Sequence, residues 1–299
     1  MTIGWFEGFE SRRIAVNGVE LFVRIGGDAT APPLLMLHGF PQTHAIWHRV
    51  AQRLQSHFRL VLPDLRGYGD SAKPPGEADH ANYSKRTMAL DVAELMTQLG
   101  HERFALVGHD RGGRVAHRLA LDHAQRITKL CLIDIAPTLD MYERTSMAFA
   151  SLYYHWFFLI QPAPLPEKLL GADPKFFLHS AFGGWGSKLL EHLEPQALAD
   201  YERCFVMPDT LHANCEDYRA SAGVDLEHDR ASRAAVQRIG CDTLVLWGER
   251  GVVHRLFKPL DLWRAQCAAD LQGTLMPAGH FIPEELPDET AAHLLRFFA

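Results

Sequence analysis

The chain has 299 residues, of which 47% are hydrophobic, and its formal net charge at pH 7 is −6. This length and composition predict a globular protein with one large α/β domain, or one such domain with an insertion. The acidic charge, without a basic stripe, argues against nucleic acid or a membrane surface as a partner. The five cysteines are widely spaced with no Cys-x-x-Cys pair, and no apolar run has the length of a membrane span, which favours a cytoplasmic protein with reduced thiols.

The predicted elements begin with two antiparallel strands, at 12–16 and 20–25, joined by the hairpin turn signal Asn17-Gly18. Short apolar strands then alternate with helical stretches such as 85–99, which predicts crossover connections and a mostly parallel sheet flanked by helices. These further strands are predicted at 34–37, 60–62, 104–107, 130–133 and 243–247, with a strand-like segment at 273–276.

Strand signals stop between about Pro137 and Arg233, where aromatic residues, prolines and helical periods replace them. Such a stretch between two strands of one sheet is typical of an inserted helical cap. We therefore predict a first core segment over residues 1–136, a cap over 137–233 and a second core segment over 234–299.

The segment Gly108-His109-Asp110-Arg111-Gly112 lies between a predicted strand and a predicted amphipathic helix. Its spacing is that of a nucleophile elbow, with aspartate where serine is usual. A carboxylate is ionised at neutral pH without a base and suits displacement at a saturated carbon, which leaves an enzyme-bound ester. Asp110 is therefore the predicted nucleophile; the alternative is an ordinary turn whose polar residue only caps the helix.

Asp134 and His280 follow the elbow in the chain order nucleophile, acid, histidine that α/β-hydrolases use. His280 would activate the water that hydrolyses the ester, and Asp134 would fix the histidine tautomer and stabilise the imidazolium. Glu249 is the rival for the acid. We favour Asp134, because Glu249 directly follows a strand glycine instead of lying further along the loop, where it would reach the histidine.

Several motifs of the chain form one recognisable set. They lie at 38–44, 63–71, 108–112 and 279–280, and in the predicted cap at 154–156 and 215–220. Through these motifs the sequence resembles the fluoroacetate (haloacetate) dehalogenases, in the branch of α/β-hydrolases that also contains haloalkane dehalogenases and epoxide hydrolases. The likeness runs over nearly the whole chain, and it implies the α/β-hydrolase fold, with a mostly parallel eight-stranded sheet and an inserted helical cap, and a homodimer.

Two arginines flank the elbow on one helix face, Arg111 directly after the nucleophile and Arg114 three residues on. Haloalkane dehalogenases and epoxide hydrolases usually carry tryptophan directly after the nucleophile, where this chain has a guanidinium that favours an anion. We expect both arginine forks to converge on the carboxylate of a small anionic haloacid substrate. The alternative is that both arginines form surface salt bridges.

His155, Trp156 and Tyr218 match the halide-binding positions of the dehalogenases, although by composition alone cap aromatics favour packing. Departing fluoride is strongly hydrated and needs several hydrogen-bond donors in place of water. The backbone N–H groups of Phe40 and Arg111 are the predicted oxyanion hole for the ester hydrolysis step.

The predicted activity is hydrolytic dehalogenation of 2-haloacids, such as haloacetate to glycolate and halide, without cofactor or metal. One alternative is an epoxide hydrolase with the same Asp-His-Asp set, because His38-Gly39-Phe40-Pro41 also matches that family's oxyanion motif. An epoxide hydrolase needs two cap tyrosines that bind the epoxide oxygen, and the candidates are Tyr153, Tyr154 and Tyr218. Another alternative is a non-catalytic binding protein of the same fold.

Overall fold

The computed structural model describes residues 5–187 and 190–299. The strands within them are Glu10–Val16 (β1), Val19–Gly26 (β2), Pro33–Leu37 (β3), Arg59–Pro63 (β4), Phe104–His109 (β5), Ile127–Ile133 (β6), Asp242–Gly248 (β7) and Leu271–Met276 (β8). These strands form one sheet in the order β1-β2-β4-β3-β5-β6-β7-β8. Strand β2 pairs antiparallel with β1 and β4, and the pairs among β3 to β8 are parallel. The predicted α/β fold with a mostly parallel eight-stranded sheet is confirmed.

The helices alternate with these strands and then accumulate between β6 and β7. In the first part of the chain they are His48–Leu54 (α1), Lys85–Gln98 (α2) and Asp110–Asp122 (α3), with 3-10 turns at His44–Trp47, Ala81–Tyr83 and Ala124–Arg126. Between β6 and β7 they are Thr138–Glu143 (α4), Met147–Leu152 (α5), Tyr154–Phe158 (α6), Leu165–Ala172 (α7), Pro174–Gly184 (α8), Pro195–Phe205 (α9), Pro208–Ala222 (α10) and Val224–Ala234 (α11). After β7 they are Val252–Leu256 (α12), Pro259–Gln266 (α13), Ile282–Glu285 (α14) and Pro287–Phe298 (α15).

The hairpin and the inserted helical segment lie where the sequence predicts them. Asn17 and Gly18, between β1 and β2, have φ angles of 41° and 76°, as a two-residue hairpin turn with two left-handed residues requires. Helices α4 to α11 span residues 138–234, and the described residues between β6 and β7 contain no named strand. The exact boundaries of the cap, at 137 and 233, stay a prediction. No helix in the described part of the chain is long and apolar enough to cross a membrane.

The central strands are buried on both faces, because helices cover the sheet from both sides. In β3, Leu35 and Leu37 point into one apolar cluster, whereas Leu34 and Met36 point into a second cluster on the opposite face. This alternation with continuous apolar character is typical of a parallel strand between two helical layers.

The parallel direction of β3 to β8 places their carboxyl ends at one edge of the sheet. The segments that follow β3, β5, β6 and β8 contain Phe40, Asp110, Asp134 and His280, in that order. Ligand sites of open α/β sheets form at this edge. The topology therefore brings together four residues that the sequence separates widely.

Candidate active site

Asp110 occupies a sharp turn between β5 and α3. Its φ angle is 47°, unusual for a residue with a side chain, and only 5% of its surface is exposed. Two neighbouring glycines, Gly39 and Gly112, lie so close to other parts of the chain that a side chain would not fit, and neither has a positive φ angle. A Cβ added to Gly39 would lie 2.5 Å from Asp110 Cβ, and one added to Gly112 would lie 2.2 Å from the carbonyl oxygen of His38. The strand-turn-helix context of the predicted elbow is thus present.

The two carboxylate oxygens of Asp110 have different surroundings. Oδ1 accepts a hydrogen bond of 2.9 Å from the Phe40 N–H, whereas Oδ2 lies 3.8 Å from His280 Nε2. Burial alone would raise the pKa of Asp110, but the charges of His280 and of Arg111 and Arg114 lower the pKa below its ordinary value. The carboxylate is therefore ionised, with one oxygen anchored and the other free to react.

His280 is held by Asp134, which follows β6. His280 Nδ1 lies 2.6 Å from Asp134 Oδ2, and Asp134 Oδ1 accepts a 2.9 Å hydrogen bond from the Gly248 N–H. Burial would lower the pKa of His280, but the hydrogen bond and charge of Asp134, with the charge of Asp110, raise it above its ordinary value. The rival acid, Glu249, is exposed to solvent. The structure thus brings Asp134 to the histidine.

Three further residues that sequence reasoning did not assign contact His280, Trp185 through its backbone and Tyr153 and His109 through their side chains. The carbonyl oxygen of Trp185 accepts a hydrogen bond of 3.2 Å from the His280 N–H, and the Tyr153 hydroxyl lies 3.5 Å from His280 Nδ1. Burial lowers the pKa of His109 to about 3, so its ring is neutral. His109 Nε2–H can then donate to the carbonyl oxygen of His280 at 2.9 Å. Only the position of His109 inside the elbow motif could have indicated this role.

Arg111 is fully buried, and two nitrogens of its guanidinium group pair with the carboxylate of Asp217. Its Nε and Nη2 donate to the two carboxylate oxygens of Asp217, at 2.9 and 2.8 Å. Nη2 also donates to the Asp217 carbonyl oxygen and to the Ser221 hydroxyl. Nη1 is buried and has no hydrogen-bond partner among the described residues. One nitrogen of Arg111 is therefore left for a ligand.

Arg114 is also buried, but its partners are uncharged. Its Nη1 donates to the Ala136 carbonyl oxygen at 3.1 Å and to Thr138 Oγ1 at 2.8 Å, and its Nη2 donates to the sulfur of Met141 at 3.4 Å. Nε lacks a hydrogen-bond partner within the described part of the chain.

The expected binding of one substrate carboxylate by both arginines stays a prediction, but each guanidinium has less of its donor set available than the helix spacing suggests. Asp217 accepts from Nε and Nη2 of Arg111, and neutral acceptors bind the terminal nitrogens of Arg114, so each arginine has one nitrogen without a hydrogen-bond partner among the described residues. The alternative of surface salt bridges fails, because both side chains are buried. The correct geometry depends on partners from distant segments, which helix periodicity does not reveal.

Three cap side chains lie beside the arginines. Trp156 on α6 packs its ring 4.6 Å from Arg114 Cζ, and Tyr218 on α10 packs its ring 4.2 Å from Arg111 Cζ. The His155 ring lies 5.6 Å from that of Tyr218. His155 Nδ1, Trp156 Nε1 and the Tyr218 hydroxyl are all buried without a hydrogen-bond partner in the described residues. Burial holds the pKa of His155 well below its ordinary value, so the imidazole is neutral.

The site therefore combines an ionised carboxylate with five buried polar groups that have no hydrogen-bond partner among the described residues. An unpartnered buried donor costs about 1–3 kcal/mol, so five of them in one place favour an anionic ligand that accepts their hydrogen bonds. A neutral histidine donates only one ring N–H, while the two arginines and the tryptophan are donors only. The arrangement suits binding of a carboxylate and of a second anion formed during reaction.

A metal ion would find few suitable residues in the part of the chain that the structure describes. The one cluster with close ligand atoms is Asp70, Asp200 and Cys204. Arg203 already donates to both carboxylates, at 2.7 and 2.8 Å, and the Thr43 hydroxyl donates to Asp200 at 2.6 Å. These partners satisfy the two acids without a cation.

A sequence profile for the α/β hydrolase fold matches residues 32–287. The chain therefore belongs to the α/β-hydrolase family. A fluoroacetate dehalogenase from Burkholderia sp is 44% identical over 98% of this chain and 95% of that protein. The resemblance to haloacetate dehalogenases that the sequence motifs predict is thereby confirmed.

Other relatives widen this comparison. A soluble epoxide hydrolase from Corynebacterium sp. (strain C12) is 28% identical over 95% of each chain. The crystal structure of a provisionally assigned α/β hydrolase from Nostoc sp PCC 7120 has a TM-score of 0.95 and 49% identity, and covers 98% of this chain and 99% of that one. The relatives are thus a dehalogenase and an epoxide hydrolase, and the solved structure shares the α/β-hydrolase fold of this chain.

Proposed function

We propose that the protein hydrolyses small 2-haloacids, converting haloacetate to glycolate and halide through an ester on Asp110. The observation that carries this proposal is a set of five buried polar groups, around an ionised aspartate, that have no hydrogen-bond partner in the described part of the chain. The likeness to a fluoroacetate dehalogenase supports the same reaction class. The proposed reaction uses side chains, backbone N–H groups and water.

In the first proposed step, Arg111 Nη1 and Arg114 Nε hold the substrate carboxylate. Asp110 Oδ2 attacks the carbon that bears the halogen, a carbon–oxygen bond forms, and the halide departs with the electron pair of the broken bond. His155 Nδ1–H, Trp156 Nε1–H and the Tyr218 hydroxyl donate hydrogen bonds to the leaving halide. Because these donors are already desolvated and fixed, they need little reorganisation when the charge moves.

In the second step, His280 takes a proton from water and the resulting hydroxide attacks Cγ of the Asp110 ester. Oδ1 becomes the oxyanion, and the Phe40 N–H that already donates to Oδ1 stabilises the developing charge. The Arg111 N–H is the second proposed donor, since amides in the first helical turn lack an intrahelical acceptor. Collapse releases glycolate, which takes the proton from His280, and the second water proton leaves the regenerated carboxyl group.

Epoxide hydrolysis is the second candidate, because the Tyr153 and Tyr218 hydroxyls are both buried near the catalytic set. An uncharged epoxide would, however, leave the free nitrogens of Arg111 and Arg114 desolvated and without an acceptor. That penalty favours the haloacid.

The homodimer implied by the resemblance also stays a proposal. Exposed apolar side chains on α5, α7 and α8, namely Met147, Leu169 and Phe176, support an association through the helical segment. In a dimer formed through these helices, each site around Asp110 would consist of residues from one subunit only.

Initial rates on chloroacetate, fluoroacetate and styrene oxide test the proposed function. We expect halide release from both haloacids and little diol from styrene oxide, with Asp110→Asn as the inactive control. Diol formation without halide release would support the epoxide hydrolase. Absence of both activities in a folded protein would support a non-catalytic binding protein instead.

The proposed halide donors predict a selective effect on fluoride. We expect Trp156→Phe or Tyr218→Phe to lower the fluoroacetate rate at least about tenfold more than the chloroacetate rate, or about 1.4 kcal/mol, because chloride is less hydrated and leaves more readily. The measurement is the ratio of kcat/KM for the two substrates. Tyr154→Phe is a matched control, since Tyr154 is half exposed on the same cap helix as Trp156. An unchanged ratio in both variants would mean that these aromatics only pack.

A further inference from the structure

Asp217 on α10 is the centre of a buried charge cluster behind Arg111. Its carboxylate accepts the two-point fork of Arg111, a hydrogen bond from the Tyr68 hydroxyl at 2.6 Å, and an ion pair from Lys85. Burial would raise the pKa of Asp217, but the charges and hydrogen bonds of Arg111 and Lys85 hold it well below its ordinary value. Asp217 is therefore ionised although it is completely buried.

A second acid, Asp225, belongs to the same cluster and contacts Lys85. Asp225 accepts a hydrogen bond from the Lys85 N–H at 2.8 Å, and its Oδ2 lies 3.4 Å from Lys85 Nζ. Two buried cations, Arg111 and Lys85, thus face two buried carboxylates. The positive charge of Arg111 is compensated before any substrate binds.

Arg114 is different, because its hydrogen-bond partners are a carbonyl oxygen, a hydroxyl and a sulfur. No ion pair of Arg114 occurs among the described residues, and the acid with the largest effect on its pKa is Asp110, whose charge raises it. The two arginines therefore look alike in sequence but differ in charge compensation.

We propose that Asp217 is a positioning residue that fixes Arg111 with Nη1 free for the substrate and cancels its charge, so that selection for an anion rests on Arg114. This inference rests on the proposed function, because it assigns different tasks to the two arginines of the same site. A bidentate carboxylate fixes both the position and the plane of a guanidinium. Substrate orientation through Arg111 then needs no adjustment during the reaction.

The inference predicts opposite effects on rate and on anion binding in Asp217→Asn. We expect the rate of halide release from chloroacetate in a single turnover to fall at least about tenfold, because Arg111 loses its fixed plane. Acetate, measured by titration calorimetry, should bind at least as tightly as in the unmodified protein, because the charge of Arg111 is no longer compensated. A merely structural loss would weaken acetate binding together with the rate.

Asp225→Asn is the matched control, since it removes the same charge from the same cluster and Asp225 makes no direct hydrogen bond or ion pair with Arg111 in the described structure. The Ser221 hydroxyl, which accepts from Arg111 and donates to Asp225 at 3.4 Å, is the one link between them there. A double-mutant cycle completes the design. In an Arg111→Gln background, Asp217→Asn should change the rate less than about twofold, whereas the effect of Asp225→Asn should be the same in both backgrounds. Thermal melting verifies that each variant is folded.

Ser221→Ala keeps the design testable if Asp217→Asn does not fold, because it removes one hydrogen bond to Arg111 Nη2 and no charge. We expect a smaller rate loss that disappears in the Arg111→Gln background. Additive effects, or a parallel loss of acetate binding, would overturn the inference. If the unmodified protein releases no halide, the proposed function fails, whereas the acetate titration still tests the charge assignment.

Discussion

A His280→Asn variant is expected to release one halide per active site and then stop. Asp110 attacks carbon without the help of a base, so the ester still forms, but no group remains to activate water. Steady-state turnover should fall by about 10³-fold, within the range typical of a lost general base. Rapid-quench halide assays would show the burst, and peptide mass spectrometry would locate the adduct on Asp110.

His117→Asn is the matched control for this experiment, because His117 is another buried histidine, whose ring packs 5.0 Å from that of Trp263. This variant should keep steady turnover. Sustained turnover by His280→Asn, or the lack of both burst and adduct, would contradict the two-step mechanism. In single turnover with labelled water, label should enter Asp110 before it enters free glycolate.

Arg114→Leu should lose about 3 kcal/mol of transition-state stabilisation for chloroacetate, or about 150-fold in kcat/KM. The reason is the loss of a desolvated cation that forms no ion pair with a carboxylate of the described residues. Arg114 is the informative position, because its replacement leaves only neutral acceptors unpaired. Removal of Arg111 would instead take one of its two cationic partners from the buried carboxylate of Asp217, with only Lys85, among the described residues, left to pair with it.

Chloroacetamide provides the control for this variant, since it keeps the reactive carbon and lacks the negative charge. We expect its kcat/KM to fall much less than that of chloroacetate. Equal losses for the acid and the amide would mean that Arg114 supports the pocket structurally, and the substrate would not need to be an acid.

The sequence by itself determined the strands of the sheet and predicted the chemistry of the elbow, because these signals are local. Hydrophobic runs, the Asn17-Gly18 turn and the Gly108–Gly112 elbow depend on residues that are neighbours in the chain. The chain order of Asp110, Asp134 and His280 was also enough to predict that they belong together. What the motifs could not supply is the distance between these groups, since 146 residues separate Asp134 from His280.

Only the tertiary structure decided how each charged group is compensated. Arg111 and Arg114 share one helix face, yet Asp217, more than a hundred residues away, pairs with Arg111 only, and no carboxylate of the described residues pairs with Arg114. The structure likewise places Asp134, and not the exposed Glu249, within hydrogen-bond distance of His280, while the catalytic role of Asp134 stays a prediction. The burial and ion pairing of a side chain depend on which segments meet in the fold and not on their separation in the sequence. In a low-dielectric interior they determine which charges remain available to a substrate.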